Sequence, residues 1–170
     1  MLQEIRGKTL SVEKQGAGDP VVLLHGLGST ANVWEPAVRA LADKFTMLRF
    51  DLEGAGRSPC AGELSIDSWV ADLAAILDRN GIEAARFVGH SLGTLILQHF
   101  AARYPERVLK LAFLGVNRAP PEARRQAVRE RAAKVRAEGL EAITDAVVKG
   151  GLSPHTLAEK PEIVAFVREL

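Results

Sequence analysis

The sequence predicts an α/β fold, with a mostly parallel β-sheet and helices that cross over between its strands. Short apolar runs of strand length alternate with segments whose apolar residues recur at helical spacing, which is typical of this class. Residues 20–24 are apolar throughout, as in strands that are covered on both faces. With 170 residues, 47% of them hydrophobic, the chain is long enough to bury one core.

The order of the elements suggests two parts. We expect strands at residues 2–5, 9–13, 20–24, 46–50, 86–89 and 110–116, and helices at residues 34–42, 65–80, 92–102, 122–138, 140–148 and 161–170. After Pro120-Pro121 no strand pattern returns. The sequence therefore predicts a sheet-containing core at residues 1–119 and a helical segment at residues 120–170.

Charge and composition argue against two classes of partner. The net charge of +1 gives no strong field that would attract nucleic acid or an anionic membrane. Six basic residues fall within 124–136, but Glu130 lies among them, Glu122 and Glu138 flank them, and no aromatic residue lies among them. No apolar run reaches the length of a membrane span. We therefore predict neither a nucleic-acid partner nor a membrane partner.

Residue usage also argues against a metal, a cofactor and secretion. Glu53 and Asp72 have no partner at metal-ligand spacing, and no His/Cys cluster exists. The chain has no dinucleotide-binding fingerprint, so we expect no cofactor. Its single cysteine, Cys60, fits a reducing compartment, and the N-terminus lacks the apolar region of a secretory signal. We expect a cytoplasmic protein.

The segment Gly89-His90-Ser91-Leu92-Gly93 matches G-x-S-x-G between a predicted strand and a predicted helix. A sharp turn there strains the backbone of the central serine and lifts its hydroxyl clear of the sheet. Side chains two residues before and after would collide with neighbouring elements, which explains the glycines. The alternative is a tight turn with a serine helix cap, but a cap does not need two flanking glycines. The pattern favours a nucleophilic serine.

Two glycine-rich loops follow earlier strands. His25-Gly26-Leu27-Gly28 comes after the strand at 20–24, where a second backbone donor for an oxyanion is expected. His25 could be a base, but a histidine at the start of such a loop more often orients it by hydrogen bonding. Residues 51–58 form the second loop, which lacks the lysine of a phosphate-binding loop.

Together these motifs resemble the α/β-hydrolase superfamily. LLHGLGS at 23–29, FDLEGAGRS at 50–58 and VGHSLG at 88–93 occur in the family's order and at similar spacing. The segment GHSLGTLILQHFAARYPERV, followed by Arg/Ala-rich helices, is similar to the branch of 3-oxoadipate enol-lactonases and carboxylesterases. The resemblance implies strand order 1-2-4-3-5-6-7-8 and a cap formed by residues 122–170.

The resemblance also implies roles for individual residues. Ser91 would be the nucleophile, and the backbone N–H groups of Leu27 and Leu92 would form the oxyanion hole. The supporting loop residues would be His25, Gly26, Gly28, Gly89, His90 and Gly93. In the loop at 51–58, Asp51, Gly54, Gly56 and Arg57 would have structural roles.

The acid and the base of a triad should follow the serine in this fold. His99 lies eight residues on in the same predicted helix, about 12 Å away along its axis, and cannot reach Ser91. His155 is the remaining histidine, although the family mapping does not place the base there. The loop after the sixth strand offers Asn117 rather than a carboxylate. We therefore expect the acid and the histidine outside this chain, about a hundred residues being absent.

Three interpretations remain open for a chain that stops after about the sixth strand. It is a fragment of a hydrolase, or one part of an assembly that completes the site, or a shortened fold with another task. The apolar strand KLAFLGV would form an open sheet edge, so we expect a homo-oligomer or a complementing chain there. The predicted function is a serine hydrolase of small carboxylic esters or lactones, and the alternative is a non-catalytic subunit that pairs through this edge.

Overall fold

A six-stranded, mostly parallel sheet is the centre of the computed structural model, which describes residues 1–116 and 122–170. The strands are β1 (Leu2–Ile5), β2 (Lys8–Gln15), β3 (Asp19–Leu24), β4 (Phe45–Phe50), β5 (Ala85–His90) and β6 (Val108–Leu114). Their order is β1-β2-β4-β3-β5-β6. The pairs β1–β2 and β2–β4 are antiparallel, and the remaining pairs are parallel. The predicted α/β class and the order of the first six strands are confirmed.

Three helices pack on this sheet: α1 (Glu35–Leu41), α2 (Ile66–Arg79) and α3 (Leu92–Arg103). The single helix predicted at residues 34–42 is wrong at its start, because Ala31–Trp34 form a separate 3-10 helix. Pro36, in the first turn of α1, has no N–H to give to a preceding turn and so favours a new helix start. Pro105–Arg107 form a second 3-10 helix, between α3 and β6.

The two faces of the sheet carry separate apolar cores. One core joins the sheet to α2 and α3 and includes Phe87, Phe100 and Leu73, which are fully buried. The other joins β3 and β4 to α1, with Trp34 and Val38 buried against Met47. Because both faces of β3 are covered, its apolar run follows from its place in the middle of the sheet.

The chain divides into two compact units, Met1–Asn117 and Arg118–Leu170, and the helical segment forms the second. Its helices are α4 (Glu122–Glu138), α5 (Glu141–Gly151), α6 (Pro154–Glu159) and α7 (Pro161–Glu169). The helix α4 is mostly exposed, which fits its mixed charges. The predicted boundary at 119/120, the Pro120-Pro121 pair and Asn117 lie outside the described residues.

The helices predicted at residues 140–148 and 161–170 leave His155 in a connecting segment, and this is wrong because His155 lies within α6. The hydroxyl of Ser153 accepts the N–H of Thr156 at 3.1 Å, and Pro154 occupies the first turn. Both are helix-start signals.

Among the described residues, no helix has both the length and the apolar content that crossing a bilayer would need.

A buried ion-pair network ties the β1–β2 hairpin to α2 and to the loop after β4. Lys8 Nζ lies 2.6 Å from Glu53 Oε2, 2.8 Å from Asp72 Oδ2 and 2.7 Å from Ser68 Oγ. Arg6 Nη1 reaches the other oxygen of Asp72 at 2.8 Å. The two carboxylates are buried, and a cation holds each of them.

Among residues 1–116 and 122–170, no group of three or more His, Cys, Asp or Glu could hold a metal ion.

The network shifts the pKa of Lys8 and of Glu53 in opposite directions. Burial by itself would lower the pKa of Lys8, but the hydrogen bonds to Asp72 and Glu53 outweigh it and raise the pKa. Burial would raise the pKa of Glu53, and the hydrogen bonds from Lys8 and from the Ala61 N–H reverse this effect. Both groups are therefore charged at neutral pH, and the hydrogen bond between them contributes to both pKa shifts.

Replacing Lys8 by methionine leaves two buried carboxylates short of a cation, so we expect the free energy of unfolding to fall by about 3 kcal/mol. Lys14→Met is the control, because Lys14 is exposed and its Nζ makes only a long hydrogen bond of 3.4 Å to the Asn80 carbonyl oxygen. We expect that variant to stay within about 0.5 kcal/mol of the parent. Urea unfolding followed by the fluorescence of Trp34 and Trp69 measures both. Equal losses in the two variants would contradict the prediction.

Candidate active site

The three glycine-rich loops meet at one edge of the sheet. The strands β4, β3 and β5 are neighbours and run parallel, so their carboxyl ends lie side by side. His25 follows β3, Asp51 follows β4, and Ser91 follows β5. Leu24 pairs with Gly89 in the register between β3 and β5. The sheet therefore brings together the motifs that the sequence separates by up to 66 positions.

The turn between β5 and α3 holds Ser91 in a conformation that L-residues rarely adopt. Its φ is 50° and its ψ is −110°, one of two non-glycine residues with positive φ among those described. Such backbone strain costs roughly 1–3 kcal/mol and concentrates at functional sites. The Ser91 N–H donates to the Leu114 carbonyl oxygen at 2.9 Å. The side chain makes no capping hydrogen bond to α3, which argues against the helix-cap interpretation.

The glycines on either side of Ser91 allow α3 to approach the sheet closely. A methyl group on Gly93 would lie 2.5 Å from the Leu24 carbonyl oxygen, and one on Gly89 would lie 2.8 Å from the Gly93 carbonyl oxygen. Both contacts are with backbone atoms, so no side-chain rotation could relieve them. The close approach fixes where α3 begins and therefore forces the sharp turn at Ser91.

The loop after β3 contacts the turn at Ser91 through Gly26. A methyl group on Gly26 would lie 2.9 Å from Nδ1 of His90 and 3.1 Å from Cβ of Ser91. Gly28 has φ 70°, a left-handed value, so the backbone turns away directly after Leu27. The side chain of Leu27 is 69% exposed, and Leu92 is the first residue of α3.

Both ring nitrogens of His25 bond to the backbone. The side chain is buried, with Nδ1 2.8 Å from the Gly26 carbonyl oxygen and Nε2 3.0 Å from the Leu52 N–H. Nε2 accepts this N–H, so the neutral ring carries its proton on Nδ1 and donates it to Gly26. Burial lowers the pKa of His25, although the Gly26 carbonyl and the charge of Asp51 oppose it. This arrangement suits a residue that orients the loop and leaves no nitrogen for a base.

The carboxylate of Asp51 is buried between two loops. Oδ1 accepts the N–H of Ala31 at 2.8 Å, and Oδ2 accepts the N–H of Arg57 at 3.0 Å. A methyl group on Gly56 would lie 2.6 Å from Oδ2, so only glycine leaves room for the carboxylate. The predicted structural role of Asp51 within its own loop does not include this contact with the segment after β3. The signal in the sequence is an acid that directly follows a predicted strand.

The three remaining histidines are exposed. His99 is exposed on α3, and His155 is exposed on α6 in the second unit. His90 is exposed beside Gly26. Trp34 is a buried member of the core beside α1, and Trp69, which is partly buried, packs against the other core.

Comparison with known proteins assigns the architecture around these loops to one family. Residues 19–159 match the family described as the alpha/beta hydrolase fold. The chain belongs to the alpha/beta hydrolase fold family. The predicted resemblance is confirmed at this level.

The relatives of this family member include esterases and a lactonase. It is 41% identical over 105 residues to the pimeloyl-acyl-carrier-protein methyl ester esterase of Aeromonas hydrophila, covering 61% of this chain and 40% of the relative. It is 30% identical over 145 residues to 3-oxoadipate enol-lactonase 2 of Acinetobacter baylyi, covering 85% of this chain and 54% of the relative. The chain thus spans about half or less of the length of these relatives.

A solved structure extends the likeness to the backbone. The thermophilic esterase of Thermogutta terrifontis, solved with malate bound, superposes with a TM-score of 0.89 at 27% identity. The match covers 99% of this chain and 65% of the esterase chain.

The lowered pKa of His25 predicts an acid-dependent loss of stability. Between about pH 6.5, the ordinary histidine pKa, and the lower folded-state pKa, the unfolded chain binds a proton that the folded chain does not. The free energy of unfolding therefore falls as the pH falls through this window, by at most about 1.4 kcal/mol per pH unit for one proton.

Urea unfolding of the parent and of two variants across this pH range measures the effect. We expect His25→Gln to have a shallower dependence on pH than the parent. His99→Gln should keep the parent's slope, because His99 is exposed. If the free energy of unfolding of His25→Gln depends on pH as steeply as that of the parent, the prediction that the folded protein holds His25 in its neutral form is wrong.

Proposed function

We propose that the chain is a serine hydrolase of small carboxylic esters or lactones, with Ser91 as the nucleophile. The observation that carries the proposal is the left-handed backbone of Ser91 at the turn from β5 into α3. A serine in this conformation projects its hydroxyl from the carboxyl edge of the sheet, as in a nucleophile elbow. Relatives named as a methyl ester esterase and an enol-lactonase support the substrate class.

Two backbone N–H groups would stabilise the oxyanion in this proposal. Leu92 opens α3, so its N–H has no partner within the helix and adds to the positive end of the helix dipole. Leu27 lies between Gly26, which is packed against Ser91, and Gly28. Each such donor commonly contributes about 3 kcal/mol to the stability of the transition state. Gly26, Gly28, Gly89 and Gly93 support the two loops, with His25 and His90 beside them.

The reaction would proceed through an acyl-enzyme. The Ser91 hydroxyl attacks the carbonyl carbon, a histidine takes its proton and then gives it to the leaving oxygen, and water releases the acid by the same route. We propose that this histidine and its acid lie outside the 170 residues, with His155 as the alternative base. Residues 120–170 would form the cap over the substrate, and the enzyme would work in the cytoplasm.

A fluorophosphonate probe tests the nucleophile directly, because a well-placed serine beside oxyanion donors still attacks the probe, at a reduced rate, when the base lies outside the chain. We expect the intact mass of the parent to increase by one adduct, and Ser91→Ala to show none. Ser153→Ala, which removes an exposed hydroxyl in the second unit, is the matched control and should label like the parent. A His155→Ala variant that labels at the parent rate removes His155 as the base.

A folded parent that takes up no adduct contradicts the proposal for this chain. The second candidate function would then apply, in which the chain is a non-catalytic subunit that pairs with another chain.

The edge strand β6 supports that second candidate and the expectation of a partner. It is the last strand in the sheet order, and within the described residues it pairs only with β5. Its side chains Leu109, Leu111 and Leu114 are 55%, 38% and 48% exposed. Long apolar edge strands pair with other strands. We propose that a second copy or a complementing chain covers this edge.

Light scattering over a dilution series tests the edge. We expect the parent to have at least twice the chain mass at high concentration, and Leu111→Lys to shift toward the monomer because an edge charge disfavours strand pairing. Leu140→Lys, which adds the same charge at an exposed leucine of the second unit, should behave like the parent. A parent that is monomeric at every concentration contradicts self-pairing.

A further inference from the structure

We infer that Asp51 is a positioning residue: together with His25 it fixes residues 26–30, the loop that presents the Leu27 N–H. The catalytic consequence rests on the proposed function. The evidence is a pair of anchors, one at each end of this loop, both supplied by the residues that follow β4.

The first anchor holds the end of the loop. The Ala31 N–H donates to Oδ1 of Asp51 at 2.8 Å, and the donor and the acceptor are both buried. A hydrogen bond from a backbone N–H to a carboxylate is about twice as strong as one between neutral groups. Ala31 opens the 3-10 helix that follows the loop, so this bond sets where the loop ends.

The second anchor holds the start of the loop. The Leu52 N–H donates to Nε2 of His25 at 3.0 Å, while Nδ1 of the same ring donates to the Gly26 carbonyl oxygen at 2.8 Å. Leu52 is the neighbour of Asp51 in the chain. Two consecutive residues therefore hold both ends of a five-residue loop, through the side chain of Asp51 and the backbone of Leu52.

The position of Asp51 is itself fixed. Its N–H donates to the Ser11 carbonyl oxygen at 3.0 Å, and its own carbonyl oxygen accepts from Ser58 Oγ at 2.7 Å. Oδ2 accepts the N–H of Arg57 at 3.0 Å, and the backbone of Gly56 packs so closely against the carboxylate that an added methyl group would lie 2.6 Å from Oδ2. Because these bonds fix Asp51, its carboxylate can fix the position of the loop that bonds to it.

The loop meets the nucleophile at its first residue. Gly26 packs against His90 and against Cβ of Ser91, so a displacement of the loop changes the spacing between Leu27 and Ser91. An oxyanion donor contributes only when it is already in place as the charge develops. Asp51 would therefore influence the reaction through the backbone of the loop, without contact with the substrate.

The test is Asp51→Asn. Asparagine has the same size, but its amide has one oxygen where the carboxylate has two, each accepting a backbone N–H. The side-chain NH2 would therefore face the N–H of either Ala31 or Arg57, and that hydrogen bond would be lost. Asp72→Asn is the matched control: it is another buried carboxylate with two partners, but those partners are Arg6 and Lys8.

Two readouts separate positioning from general destabilisation. Hydrogen–deuterium exchange of residues 26–31 should be about tenfold faster in Asp51→Asn and unchanged in Asp72→Asn. The maximal rate of fluorophosphonate adduct formation at Ser91 should fall about tenfold or more in Asp51→Asn, while the half-saturating probe concentration stays the same. Asp72→Asn should label like the parent.

The two readouts also distinguish this inference from the proposed function. Parent-like exchange of residues 26–31 in Asp51→Asn overturns the inference, and so does a parent-like maximal labelling rate when exchange is faster. A parent that forms no adduct overturns the proposed function. The exchange measurement then still decides whether Asp51 fixes the loop: faster exchange supports it, and unchanged exchange overturns it.

Discussion

No side chain fits between the first turn of α3 and the carboxyl end of β3. Gly93 approaches the Leu24 carbonyl so closely that even a methyl group would lie 2.5 Å from its oxygen. With α3 placed there, the chain has room for only a single residue between β5 and the helix, and that residue, Ser91, takes the left-handed conformation. The backbone strain of Ser91 therefore results from the close packing of Gly93, two residues later in the chain. The apolar contacts of α3 with the sheet offset the free energy of this strain.

The loops at the carboxyl edge of the sheet are held in place by bonds to buried charged side chains. Asp51 joins the loop after β4 to the loop after β3. Lys8 holds the same loop after β4 through Glu53. Arg49, also buried, lies 2.8 Å from Glu13 and 2.6 Å from Glu35, and so joins β4 to β2 and α1. Each of these ions is paired, which is the condition under which charges persist in a protein interior. In the loop after β4, these ion pairs and hydrogen bonds act together with the buried side chain of Leu52.

The family assignment fits this division between framework and loops. Members of one fold family can differ in chemistry, because the site is formed by loops on a shared sheet. The relatives of this chain include an esterase of a pimeloyl methyl ester and an enol-lactonase, and both names describe cleavage of an ester bond. At the carboxyl edge of its sheet this chain has a serine in a strained turn, two loops in contact and a helix that begins at the next residue. The second unit, with its exposed and highly charged α4, has a different composition and no strand among its described residues.

The sequence by itself determined the fold class, the order of the elements and the serine turn. These depend on local patterns: the spacing of apolar residues distinguishes strands from helices, and glycines at positions 89 and 93 mark a turn where side chains cannot fit. Short elements escaped it, such as the 3-10 helix before α1 and the helix α6 that contains His155, because their apolar period is too brief to recognise. The tertiary structure alone decided that Asp51 serves a loop 20 residues earlier and that Lys8 pairs with Asp72 across 64 residues. Such contacts depend on strand register and on the approach of the loops in space, which no local pattern of residues records.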